Sequence, residues 1–128
     1  MSYARSVRLD ADFDTAVTAV RQALAEHGFG VLTEIDVKAT LQAKLGHDME
    51  DYLILGACNP ALARRALEAD RSIGLLLPCN VVVRRDGDRT VVQALDPDTM
   101  VTLTGLPGLR PVAADATARL DAALASLT

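Results

Sequence analysis

The chain has 128 residues, half of them apolar, with 17 acidic against 13 basic side chains and a net charge of −4. That length fits one domain, 1–128, able to bury a core without disulfide or metal staples. The acidic balance excludes charge-driven nucleic-acid binding, and four aromatic residues (Tyr3, Phe13, Phe29 and Tyr52) are too few for a base-stacking platform.

Residues 3–9 alternate well enough for a first strand. Asp12 then caps a helix in which Phe13, Val17, Val20 and Leu24 recur at helical spacing, and Gly28 sits where a left-handed C-terminal residue belongs. Residues 29–36 form a second strand. Asp36 caps a short helix with Val37, Leu41 and Leu45 on one stripe and Gly46 as its stop. After a polar turn at 47–50, residues 51–57 form a strand with little polar interruption, which places it inside the sheet. Asn59-Pro60 opens the next helix, since Asn is a strong N-cap and Pro at the first helical position loses no hydrogen bond. Leu62, Ala63, Ala66 and Leu67 are its buried face.

Residues 72–77 are expected to run back. Residues 80–85 and 90–95 make a hairpin across Asp86-Gly87-Asp88. Residues 100–103 predict a further short strand, 104–110 a loop, and Pro111 the start of a last helix striped by Val112, Ala116, Leu120, Ala123, Leu124 and Leu127. The order is mixed rather than strictly alternating, so the expected class is α+β, with an antiparallel-rich sheet and helices packed mainly on one face. The opening residues, Met1 to Asp10, contain no apolar run, so no signal peptide is expected. No stretch is long enough to span a bilayer, and the expected compartment is the cytoplasm, where two cysteines stay reduced.

Those two cysteines sit in near-mirror settings, Ala57-Cys58-Asn59-Pro60 and Leu77-Pro78-Cys79-Asn80, each after an apolar run. A helix from Pro60 rises about 16 Å at 1.5 Å per residue. The return to Pro78 covers up to about 25 Å if extended, so Cys79 comes back towards the level of Cys58. A ligand site built on Cys58, Asn59, Pro60, Pro78, Cys79 and Asn80 is one reading. A low-pKa Cys58 before a helix N-terminus, with Cys79 as resolving thiol or soft-metal ligand, is another. Plain core packing is the third, because free cysteine is often buried as a small hydrophobe.

Other constellations are weaker. Asp10, Asp12 and Asp14 mimic a calcium loop, but Thr15 stands where Gly should turn. Glu34 and Asp36 share a strand face and suit a solvated strand end followed by a cap. His27 fits a helix C-terminus. A metal site of Cys58, Cys79 and His47 matches no known zinc spacing, so no metal ligand is assigned.

The runs from Tyr52 to Pro60 and from Ile73 to Val83 resemble the family of domain of unknown function 302, as do Glu34 to Leu41, Lys44-Leu45-Gly46 and Ala94-Leu95-Asp96-Pro97. The resemblance implies a compact α+β domain similar to the TATA-binding-protein-like architecture, and a homodimer. It carries no established activity or cofactor. It points to Glu34, Asp36, Cys58, Asn59, Pro60, Pro78, Cys79, Asn80 and Asp96 as family-pattern positions. With Glu34 and Asp96 added, the two cysteine segments make the candidate ligand site. The expected function is a homodimeric small-molecule-binding or regulatory module, the alternative a thiol-dependent redox enzyme or soft-metal protein. Neither nucleic acid nor membrane is an expected partner.

Overall fold

The structure, a computed structural model, describes residues 3–128; Met1 and Ser2 of the opening segment lie outside the described residues. The elements are β1 (Ala4–Leu9), α1 (Phe13–Glu26), β2 (Gly30–Asp36), α2 (Val37–Leu45), β3 (Tyr52–Cys58), α3 (Pro60–Ala69), β4 (Cys79–Asp86), β5 (Arg89–Leu95), α4 (Asp98–Thr104) and α5 (Arg110–Ala125). Short 3-10 segments cover Arg71–Leu76 and Pro107–Leu109. The five strands form one sheet in the order β1-β5-β4-β3-β2, every neighbour antiparallel. The chain is thus an α+β domain. No helix among the described residues is long and apolar enough to cross a membrane.

Local chemistry sets the element boundaries. Asp12 accepts a hydrogen bond from the Thr15 amide at 2.7 Å, Asp36 from Ala39 at 2.8 Å, and Asn59 from Leu62 at 3.1 Å. Each satisfies an amide that the first helical turn leaves unpaired. His27 closes α1, its ring Nδ1 lying 2.7 Å from the Ala23 carbonyl. The β4–β5 hairpin turns at Gly87, whose φ of +62° suits a residue without Cβ. Thr90 at the start of β5 is fully buried, and its hydroxyl donates to the Ala11 carbonyl at 2.8 Å, tying the hairpin to the β1–α1 turn.

Two expectations fail. Residues 100–103 are not a strand but part of helix α4. Both sides of β5 are already paired, to β1 and β4, so no sheet edge is free beside it. Asp96 also turns the chain, accepting from the Asp98 amide at 3.0 Å. Residues 72–77 do not run extended; Arg71–Leu76 coils as a 3-10 segment begun by the Asp70 side chain, which accepts from Ser72 at 3.2 Å. In addition α5 starts at Arg110, one residue before the expected Pro111, and the 104–110 loop contains a 3-10 turn.

Packing is mainly aliphatic, with Phe29 the one aromatic side chain among the buried members, and divides into two clusters. The larger joins Val20 and Leu24 of α1 to Leu55, Val81, Val83 and Val92 of the sheet and Leu120 of α5. The smaller joins Leu62 and Ala66 of α3 to Ile73, Met100, Leu109 and Val112. Helix α5 serves both, placing Ala116 in the smaller and Leu120 in the larger. At 25 cal/mol per Å², fully burying one such side chain contributes about 1.5–3 kcal/mol, so these clusters outweigh any single polar contact here.

Beside Pro78 the sheet is tight. A Cβ added at Gly56 would lie 2.8 Å from the Pro78 ring and collide with Thr33 Oγ1. Gly56→Ala is therefore expected to cost about 1–3 kcal/mol by overpacking. A urea-unfolding midpoint equal to wild type would show that Thr33 and Pro78 yield without penalty.

Candidate functional site

The sheet register brings the two cysteine segments together. Ala57 pairs with Cys79 and Gly56 with Asn80 across β3 and β4. Cys58 is the last residue of β3 and Cys79 the first of β4. A cis Leu77-Pro78 peptide precedes β4. Behind these strand ends lies an apolar cavity of about 50 Å³. Cys58, Asn59, Pro78 and Cys79 border it, with further walls from α3 (Leu62, Ala63), the 3-10 segment (Leu76), α4 (Met100) and α5 (Ala116). It occupies the seam between the two clusters, bounded by Phe29 and Leu120 of one and Leu62 and Met100 of the other.

Of the wall's three polar side chains, Asn59 and Cys79 are engaged. Asn59 Oδ1 accepts from the Leu62 amide at 3.1 Å, while Nδ2 donates to the Gly28 carbonyl at 3.0 Å. One side chain thus caps α3 and ties it to the end of α1. Gly28 has φ +88°, and a Cβ there would stand 2.9 Å from Asn59 Nδ2, so a side chain at 28 would break this link. The Cys79 thiol points to the Leu95 carbonyl at 3.8 Å. Burial pushes the Cys79 thiol up from 9.0 to about 11, because a low-dielectric site disfavours the thiolate. Cys79 is therefore a neutral thiol at neutral pH, which is the reverse of an activated nucleophile.

The remaining sequence-predicted positions lie outside the cavity wall. Pro60 is exposed at the first position of α3, and Asn80 is exposed on β4. Glu34, on β2 opposite Leu55, forms a 2.7 Å ion pair with Arg21 of α1. Asp36 is the α2 cap. Asp96 holds the turn into α4 and lies 3.3 Å from Arg5 Nη1, although its neighbours Leu95 and Pro97 do border the cavity. Arg5 also forks onto both carboxylate oxygens of Asp121, at 2.5 and 2.7 Å. That hydrogen bonding, mainly from Asp121, holds the guanidinium charged above its ordinary range despite partial desolvation.

The two thiols are free and on neighbouring strands. Alternation assigns them to opposite sheet faces, since Cys79 shares its face with Ala57 and Cys58 is one residue further on. His47 is exposed and does not border the cavity, and among the described residues no three His, Cys, Asp or Glu side chains gather to hold a metal. Sequence reasoning missed the walls from α3, α4 and α5. Their helical stripes were visible, but only folding shows which stripes meet.

The raised Cys79 pKa has a thermodynamic consequence. The unfolded thiol ionises near 9.0 and the folded one near 11. Stability from the protonated folded form is complete below the unfolded value and declines as pH rises through that window. Chemical unfolding from pH 8 to 11 should show wild type losing more stability than Cys79→Ala over the alkaline part. Parallel pH profiles would show that Cys79 is not desolvated.

Comparison with known proteins places this geometry. A family model described as domain of unknown function DUF302 matches residues 5–127. A solved structure, that of an uncharacterized conserved DUF302 protein from Bacillus stearothermophilus, is 30% identical over 100% of both chains, with a TM-score of 0.93. No curated protein matches the chain. The chain therefore belongs to the DUF302 family of domains of unknown function.

Proposed function

We propose that the domain is a non-enzymatic binding or regulatory module whose ligand occupies the cavity behind Cys58-Asn59 and Pro78-Cys79. The supporting observation is convergence. Two segments with the same unusual chemistry, distant in sequence, border one apolar hollow at the seam of the two clusters. Pro60 and Asn80 support the segments from outside it, and Glu34 and Asp96 act as structural ion-pair partners. The wall holds no carboxylate, imidazole or hydroxyl side chain, so it offers neither general acid nor general base. The redox alternative needs Cys58 as nucleophile and Cys79 as its resolving partner, and the placement of the two thiols on opposite sheet faces weighs against that pairing. Free thiols suit a reducing cytoplasm.

Native mass spectrometry of the purified chain should reveal a co-purifying small molecule, and Ala63→Leu, which fills the wall, should remove it. A mass equal to the bare chain before and after substitution, together with no saturable binding of any added apolar molecule, would refute the reading.

The domain acts as a pair of copies in this reading. None of the nine residues of α2 is buried, and Leu45 at its end is 75% exposed. Leu32 and Ile35 of β2 are also exposed. Lys44 adjoins Leu45 in sequence, and Asp48 and Glu50 follow close after, so both signs are available for a two-fold contact. Sedimentation should give a dimer, and Ile35→Lys with Leu45→Glu a folded monomer. A wild-type monomer at high concentration would exclude the pairing.

A further inference from the structure

We infer that the cavity's occupant is an unbranched aliphatic chain, with its polar end left outside; the inference rests on the binding reading above. The first support is the state of the wall. Asn59 spends its amide on Gly28 and its carbonyl on Leu62, and the Cys79 thiol is directed to Leu95. The other side chains named in the wall are hydrocarbon, the Met100 thioether and the Cys58 thiol, a weak donor and weak acceptor. A ligand that carried a hydroxyl, amide or charge into this hollow would lose its hydration and find no stronger side-chain partner than a thiol. Recognition must therefore be of methylene and methyl groups.

Size narrows the class. Engineered apolar cavities of about 150 Å³ accept benzene, whereas this one is about 50 Å³. An aromatic ring does not fit, but the end of a chain one methylene wide does. Two of the wall segments also carry exposed leucines. Leu76 and Met100 border the cavity, next to Leu75, which is 88% exposed, and one turn from Leu103, which is 66% exposed. In this inference Leu75 and Leu103, exposed leucines on two of the segments that border the cavity, receive the remaining methylenes. Met100 is a wall that yields readily, since its unbranched side chain repacks at low cost.

The test titrates the full chain with hexanol, octanol and decanol, and with benzyl alcohol as the ring control, following methyl NMR signals. Saturable shifts are expected at Leu76, Leu77 and Met100, with affinity rising about fourfold per added methylene, and none with benzyl alcohol. Ala63→Leu should weaken decanol binding about tenfold, and Ala63→Val serves if the larger side chain prevents folding. Saturable benzyl alcohol binding, or decanol shifts confined to Leu75 and Leu103, overturns the inference. If a polar or aromatic molecule co-purifies and is lost on filling the wall, the binding domain stands and the aliphatic assignment falls. If nothing co-purifies and no alcohol saturates, both fall.

Discussion

The antiparallel pairing of β3 with β4 is the constraint on which the rest depends. Its register sets Gly56 against Asn80 and Ala57 against Cys79, which brings the end of one cysteine segment to the start of the other. A slip by one residue would turn Leu53, Leu55 and Ala57 out of the core, so the buried face enforces the register. Gly56 reinforces it locally, because Pro78 and Thr33 fill the space where a side chain would stand. Once the strands are fixed, Asn59 links the N-terminus of α3 to the end of α1, and the cavity is defined by which helices pack beneath.

Much of this was legible in the sequence because it rests on local chemistry. Asp12, Asp36 and Asn59 announce helix starts by the same side-chain-to-amide bond, and Asp86-Gly87-Asp88 announces the hairpin through the one residue type that suits its turn. The return of Cys79 to the level of Cys58 followed from the reversal of chain direction, although the return coils as a 3-10 segment and the two thiols fall on opposite faces. Residues 100–103 misled because Met, Val, Thr and Leu in a short run suit a strand as well as a helix; the deciding fact is that β5 has no open side. The cavity wall was illegible for a different reason. Ala63, Met100 and Ala116 are ordinary apolar stripe residues, and nothing local marks them as neighbours.

Burial has opposite effects on the two kinds of polar group at the site. The Asn59 amide and carbonyl find partners at 3.0 and 3.1 Å and so stay inexpensive. The Cys79 thiol has one long contact, and its charged form is suppressed. The site is thus polar in composition but apolar in what it presents. A doubled Cys-Asn motif suggests thiol chemistry on paper, whereas its folded form presents hydrocarbon and a neutral thiol.

Helix α5 has a consequence for how the domain comes apart. Ala116 and Leu120 lie one helical turn from each other yet belong to different hydrophobic nuclei. Detaching this helix from one nucleus also strips the other, since both pack on the same rod. Two nuclei that might have behaved as separate foldons are thereby coupled into a single cooperative unit.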